Sequence, residues 1–227
     1  WSWLGWLGVV AGFLILSYYS VIAGWAMAYV VRVASGVFDG ATADGVSHIF
    51  GEFIADPEKL LAWHSLFMII TMLVVARGVK GLERAAKFLM PALILILILL
   101  VGYSMNQGAF QQGVSFLFSA DFSKINAAGV LTAMGHAFFT LSLGMGAIMV
   151  YGSYLPARVS IGSTTVIIAL ADTAVALLAG LAIFPIVFAN GLTPASGPGL
   201  IFQTLPIAFG HMAYGAFFGT LFFLLLV

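Results

Sequence analysis

The chain has 227 residues, 63% of them hydrophobic and 7% charged, with eight basic residues balancing eight acidic ones. A soluble domain carries about 25% charged residues, so this composition excludes a water-bathed globule and requires a bilayer as solvent. A neutral balance without a basic run excludes a nucleic-acid footprint. The lack of cysteine excludes disulfides, thiolate metal sites and cysteine nucleophiles.

A membrane-spanning helix takes roughly 17 to 25 mainly apolar residues. In chain order the sequence offers about six such stretches, at 6–33, 60–76, 88–105, 130–155, 160–189 and 207–227, the last cut short. The alternating ten-residue segments of a membrane barrel are absent. The predicted fold is therefore all-α, a polytopic helical bundle forming a single transmembrane domain over 1–227. Trp1–Tyr19 lacks the basic start and polar exit of a cleavable signal. The chain opens on Trp1 and stops inside the apolar run Leu221–Val227, so it reads as an internal piece of a longer protein.

The connectors assign sides. Arg77, Lys80, Arg84 and Lys87 face a single Glu83 between the second and third stretches, and Arg158 follows the fourth. In an alternating topology both connectors lie on one side, and the basic excess marks it as cytoplasmic. Loop 77–87 and Arg158 are thus expected inside a plasma or inner membrane, with the first span running outward. The opposite connectors, 35–58, 107–129 and 190–206, are longer and richer in Gly, Asp and Pro. They read either as solvated links or as an ordered cap. Trp3, Trp6 and Trp63 suit an aromatic belt, and His64 beside Trp63 reads as interfacial.

Asp172 is the strongest chemical signal, an acid with apolar neighbours on both sides along the fifth stretch. A carboxylate at that depth costs at least about 2.5 kcal/mol unless a cation, proton or cavity compensates. It reads as a cation ligand or proton carrier, or as a structural acid paired with Ser, Thr or His on a neighbouring helix. The second signal is Thr140-Leu141-Ser142-Leu143-Gly144-Met145-Gly146, midway along the fourth stretch. Two glycines bracketing one residue weaken a helix where lipid demands a complete ladder. Unwinding there would free carbonyls for a cation and expose a half-helix N-terminus to an anion; close packing of small residues is the other reading. Tyr18 and Tyr19 lie in mid-span and need hydroxyl partners, either a substrate carboxylate or a backbone carbonyl. No hydrolase elbow, P-loop, zinc motif or dinucleotide fingerprint is present.

The run Gly135-His136-Ala137-Phe138-Phe139-Thr140-Leu141-Ser142-Leu143-Gly144-Met145-Gly146 resembles the sixth helix of the neurotransmitter:sodium symporter family, in particular its bacterial amino-acid branch. Tyr18-Tyr19 followed by Gly24-Trp25 resembles that family's third helix. Gly81, nine residues and then Pro91 resembles the helix-five element that opens a cytoplasmic water path. Thr204-Leu205-Pro206 resembles the start of the eighth helix. The resemblance implies helices three to eight of a LeuT-type inverted-repeat fold, discontinuous near Ser142–Gly146. It also carries roles to matching positions. Tyr19 binds the substrate carboxylate, Ile15, Ser142 and Met145 line the pocket, and Phe139 lids it. Thr140 and Asp172 are sodium ligands, Thr140 also lying against substrate, and Tyr154, Gly81 and Pro91 gate the inner path.

Asp172 stands where many members carry asparagine, and His136 where chloride-dependent members carry glutamine. A fixed carboxylate beside sodium would replace the anion those members need. The expected function is therefore sodium-coupled, chloride-independent symport of a neutral amino acid, hydrophobic or aromatic in view of Met145. The implied partners are Na⁺, the amino acid and the bilayer, with no organic cofactor and no nucleic acid. A proton-coupled transporter titrating Asp172 or His136 is the alternative. A membrane enzyme or haem protein using His64 and His136 is a more distant one.

Overall fold

The computed structural model describes residues 2–119, 121–156, 158–194 and 197–227, with Lys124 described by its backbone alone. Among the described residues the regular structure is helical throughout. It comprises α1 (Ser2–Ala34), α2 (Ala43–Ile54), α3 (Pro57–Val75), α4 (Gly78–Met105), α5 (Phe110–Phe118), α6 (Ala127–Thr140), α7 (Ala147–Ser153), α8 (Ile161–Ala189), α9 (Leu205–Gly210) and α10 (Gly215–Leu226). A 3₁₀ turn, Phe122–Lys124, precedes α6, and a π turn, Leu200–Thr204, leads into α9. Four of these helices, α1, α3, α4 and α8, are long and apolar enough to cross a membrane. The chain is a multi-pass membrane protein.

Local chemistry sets the helix starts. The Thr42 hydroxyl accepts the Gly45 amide at 3.2 Å and opens α2. Asp56 accepts the Lys59 amide at 3.0 Å and opens α3, with Pro57 in the first turn. Asn126 accepts the Gly129 amide at 2.8 Å and opens α6. Each satisfies an amide that the first helical turn leaves without a partner.

The connectors are more ordered than solvated links. The 35–58 segment contains α2, whose Val46, Phe50 and Phe53 are buried at helical spacing. The 107–129 segment contains α5, and Gly113 there comes so near Pro185 that a Cβ would lie 2.5 Å from the proline Cγ. Both helices are too short to register as spans, and periodicity over a few turns is easily lost among turn residues. Residues 195 and 196 of the 190–206 connector lie outside the described residues. The 207–227 stretch is divided where Tyr214 takes a left-handed φ of 58° and Gly215 sits directly against the Phe209 carbonyl.

The chain forms two compact units. One comprises residues up to Tyr19 with Ser119–Leu177; the other comprises Ser20–Phe118 with Leu178–Val227. The second unit is organised around Tyr29, whose hydroxyl donates to the Phe202 carbonyl at 3.1 Å. Its ring stacks on Phe38 at 5.5 Å and meets Phe202 and Phe223 at 5.1 Å each. Tyr103 donates to the Ala213 carbonyl at 2.8 Å, and Ser104 donates to the Leu181 carbonyl at 2.9 Å. These hydroxyls find backbone acceptors and so hold loops and helices together, whereas Trp25 Nε1 and His64 Nδ1 in the same unit are buried without a partner among the described residues.

Candidate functional site

The first unit assembles the predicted site around an interrupted helix. Helix α6 ends at Thr140 in a Schellman turn, with the Ser142 amide donating to the Phe139 carbonyl at 3.0 Å and the Leu143 amide to the Phe138 carbonyl at 2.8 Å. The residue that must turn left-handed in this motif is Ser142, at φ 55°. Gly144 and Gly146 follow at φ 79° and 83°, and α7 starts immediately beyond. Three left-handed residues within five positions convert the axial ladder into an open turn, and the discontinuity expected near Ser142–Gly146 is present. Packing of small residues contributes too: a Cβ on Gly146 would lie 2.9 Å from the Gly8 Cα. Unwinding and close packing of small residues therefore coexist in this segment.

At the mouth of the break the Thr140 hydroxyl lies 3.1 Å from each carboxylate oxygen of Asp172 on α8. A hydroxyl has one proton, so it serves the two oxygens alternately and leaves most acceptor capacity of the carboxylate unused. Asp172 is half-buried and Thr140 exposed. No ion pair to Asp172 occurs among the described residues.

One residue earlier on α6, the Phe139 ring meets Tyr19 at 6.0 Å between centroids, inclined by 31°. Tyr18 packs edge-on to Tyr19 at 5.8 Å. Ile15, Tyr19 and Met145 share the wall of one cavity of about 860 Å³. That cavity continues along α1 past Gly12 and Gly8 to Ser153 on α7. The structure thus brings together Ile15, Tyr19 and Met145, pairs Tyr19 with Phe139, and pairs Thr140 with Asp172. Ser142 sits in the turn itself. Tyr154 caps the C-terminus of α7, exposed, one residue beyond the cavity's last wall position. Gly81 and Pro91 belong to the other unit, on α4, which is continuous from Gly78 through Pro91 to Met105.

Sequence reasoning passed over Gly5, Gly8 and Gly12, whose helical spacing puts them on the cavity side of α1; a small-residue stripe in an apolar helix is the signal that reveals such a face. His64 is half-buried on α3. Its backbone packs against Gly24 of α1, where a Cβ would lie 3.0 Å from the His64 amide nitrogen, and its Nδ1 is buried. The missing side chain at Gly24 lets the α3 backbone approach α1 closely there.

An all-helical multi-pass bundle with a helix broken beside an acid is an architecture shared by transporters that bind substrate at a discontinuous helix. The model of the sodium:neurotransmitter symporter family matches residues 50–227. The chain is 44% identical to the uncharacterized sodium-dependent transporter YhdH of Bacillus subtilis, over 99% of this chain and 49% of that protein. It is 30% identical to the sodium-dependent nutrient amino acid transporter 1 of Drosophila willistoni, over 74% of this chain and 27% of that protein. The crystal structure of MhsT in complex with L-phenylalanine superposes with a TM-score of 0.86 at 47% identity, covering 100% of this chain and 52% of that one. The chain belongs to the sodium:neurotransmitter symporter family and has its LeuT-type fold. It spans about half the length of the first curated relatives it matches. Membership of a transporter family removes the enzyme and haem alternatives.

Proposed function

We propose that the protein containing this chain is a sodium-coupled symporter of neutral amino acids with hydrophobic or aromatic side chains. Transport proceeds by alternating access and needs no chloride. The observation that carries this reading is the Thr140 hydroxyl at the broken end of α6, 3.1 Å from both oxygens of a carboxylate that has no cationic partner among the described residues. Sodium bound between Thr140 and Asp172 neutralises that carboxylate and presents positive charge to the substrate carboxylate. Tyr19 donates its hydroxyl to the same substrate group, and the N-terminal end of α7 adds its dipole.

Ile15, Ser142 and Met145 line the side-chain pocket, and Phe139, already against Tyr19, closes it. Tyr154 and the Gly81–Pro91 stretch govern the inner path. Loop 77–87 and Arg158 face the cytoplasm, as the basic excess there supports. The phenylalanine in the MhsT complex supports an aromatic substrate, as does the flexible thioether of Met145.

The test is a scan of amino acids for sodium-dependent thermal stabilisation of the full-length protein, followed by uptake with sodium removed at constant pH. Stabilisation lost in Asp172→Ala and in Tyr19→Phe is the expected result. Unchanged binding in both variants overturns the site, and uptake indifferent to sodium but driven by a pH gradient establishes the proton-coupled alternative.

A further inference from the structure

A second set of charges lies in the other unit, where α3 ends and α4 begins. Glu83 is engaged there by Lys87 at 2.7 Å. Arg77 and Arg84 make no ion pair among the described residues. Both line an open crevice of about 620 Å³ whose other walls include Ile70, Leu73, Val74 and Phe88. The crevice exists because Gly81 has no side chain: a Cβ there would collide with the Val74 carbonyl oxygen and the Arg77 Cβ, forcing the two helices apart. Arg77 is the N-cap of α4 yet provides no side-chain hydrogen bond to the first turn. The end of a 28-residue helix therefore presents uncapped amides and its positive pole beside two unpaired guanidinium groups.

Apolar walls, two unpaired cations at the rim and a helix N-terminus make a specific chemical combination. The cations want a phosphate, since a guanidinium fork matches phosphate oxygens in bidentate geometry. Ile70, Leu73 and Phe88 are exposed hydrocarbon that wants an acyl chain. A soluble phosphate satisfies the first and not the second, and a zwitterionic lipid carries its own cation to compete with the arginines. Basic pockets between membrane helices near a surface match anionic head groups. We propose that this crevice is a binding site for an anionic phospholipid, its phosphate held by Arg77 and Arg84 and one acyl chain laid along Ile70, Leu73 and Phe88. The lipid site does not rest on the sodium and substrate site of the transport reading, although Gly81 belongs both to this crevice and to the proposed inner path.

The experiment titrates the detergent-solubilised full-length protein with dioleoyl-phosphatidylglycerol or dioleoyl-phosphatidylcholine and counts bound lipid by native mass spectrometry. Phosphatidylglycerol binds in preference, and the double variant Arg77→Gln/Arg84→Gln binds it roughly thirtyfold more weakly, since each surface cation contributes about one kcal/mol. Lys87→Gln stays within about twofold of the parent, because Lys87 is held by Glu83 at the exposed surface. Inorganic phosphate does not displace the lipid. Equal binding of phosphatidylcholine, undiminished binding in the double variant, or displacement by phosphate overturns the site. Should the double variant not fold, phosphatidylglycerol with a diazirine in its acyl chain is photolysed on the parent protein. Labelling of residues 70–88 supports the site, and labelling confined to other helices overturns it.

Discussion

Among the described residues Asp172 has one hydrogen-bond partner, the Thr140 hydroxyl, and that hydroxyl can satisfy one oxygen at a time. If sodium is the compensating charge, Thr140 is both a ligand and the group that aims the carboxylate. Thr140→Val keeps the volume and removes the oxygen. A hydrogen bond to a charged group contributes about 1.5–3 kcal/mol, so Thr140→Val is expected to weaken sodium affinity by roughly tenfold to a hundredfold, read as the sodium concentration for half-maximal substrate binding. At Asp56 the carboxylate is held below the usual carboxylate range, first by its side-chain hydrogen bond to Lys59 and then by the Lys59 amide. A lowered native value means that ionised Asp56 stabilises the fold above the ordinary value of about 3.9 and loses that contribution as pH falls through the native one. Asp56→Asn keeps a neutral cap. Its thermal midpoint is expected below the parent's at pH 7, with the gap narrowing below about pH 4. A gap that persists unchanged in acid would show that the charge of Asp56 contributes nothing.

The interruption between α6 and α7 has a graded sensitivity to side chains. Gly144 is left-handed at φ 79° with open space around its missing Cβ, so Gly144→Ala is expected to cost only the backbone strain, about 1–2 kcal/mol. Gly146 combines φ 83° with the Gly8 backbone 2.9 Å from where its Cβ would stand. Two main chains in contact have nothing flexible to move aside, so Gly146→Ala should destabilise the full-length protein well beyond Gly144→Ala in thermal unfolding. Ser142→Gly should raise the unfolding midpoint, because a non-glycine residue at φ 55° already bears the strain that glycine lacks. The Gly-Met-Gly triplet made a break legible in the sequence, as hydropathy did for α1, α3, α4 and α8. The end of α6 at Thr140 was not legible, because helix-stop rules look for Gly or Asn at the left-handed position and the chain uses Ser. Nor were α2 and α5, which bury short faces inside segments dense in turn residues. The close approach of the His64 backbone to Gly24, 40 positions earlier, is a tertiary fact with no local trace. Of the site, the polar members stood out by their depth in apolar sequence, whereas the cavity walls Gly8, Gly12 and Met149 looked like ordinary helix.

For the whole molecule, the proposed chemistry is a statement about balanced charge. The proposed site, with half-buried Asp172, one sodium and one substrate carboxylate, would pair one cation with two anions, the substrate ammonium completing neutrality. Adding chloride would introduce an unmatched negative charge, so replacing chloride by gluconate should leave uptake by the full-length protein within about twofold. Asp172→Asn removes the fixed charge, and chloride should then stimulate uptake, because the anion supplies what the carboxylate did. The same electrostatics fixes the coupling between ligands. In the proposed site sodium would lower the cost of burying the substrate carboxylate and the substrate that of burying sodium, so each would raise the other's affinity by one common factor. A coupling of about 1–3 kcal/mol corresponds to roughly a fivefold to 150-fold change. Calorimetric titration of the amino acid at low and saturating sodium, and of sodium with and without the amino acid, should return equal ratios. Asp172→Asn should change that ratio more than Thr140→Val does, since it alters the charge and not merely one ligand oxygen. Ratios that differ between the two titrations would mean that a further ion enters with one of the ligands. Ratios of one in the parent would place sodium and substrate in sites that do not sense each other, and the pairing of Thr140 with Asp172 would then be structural alone.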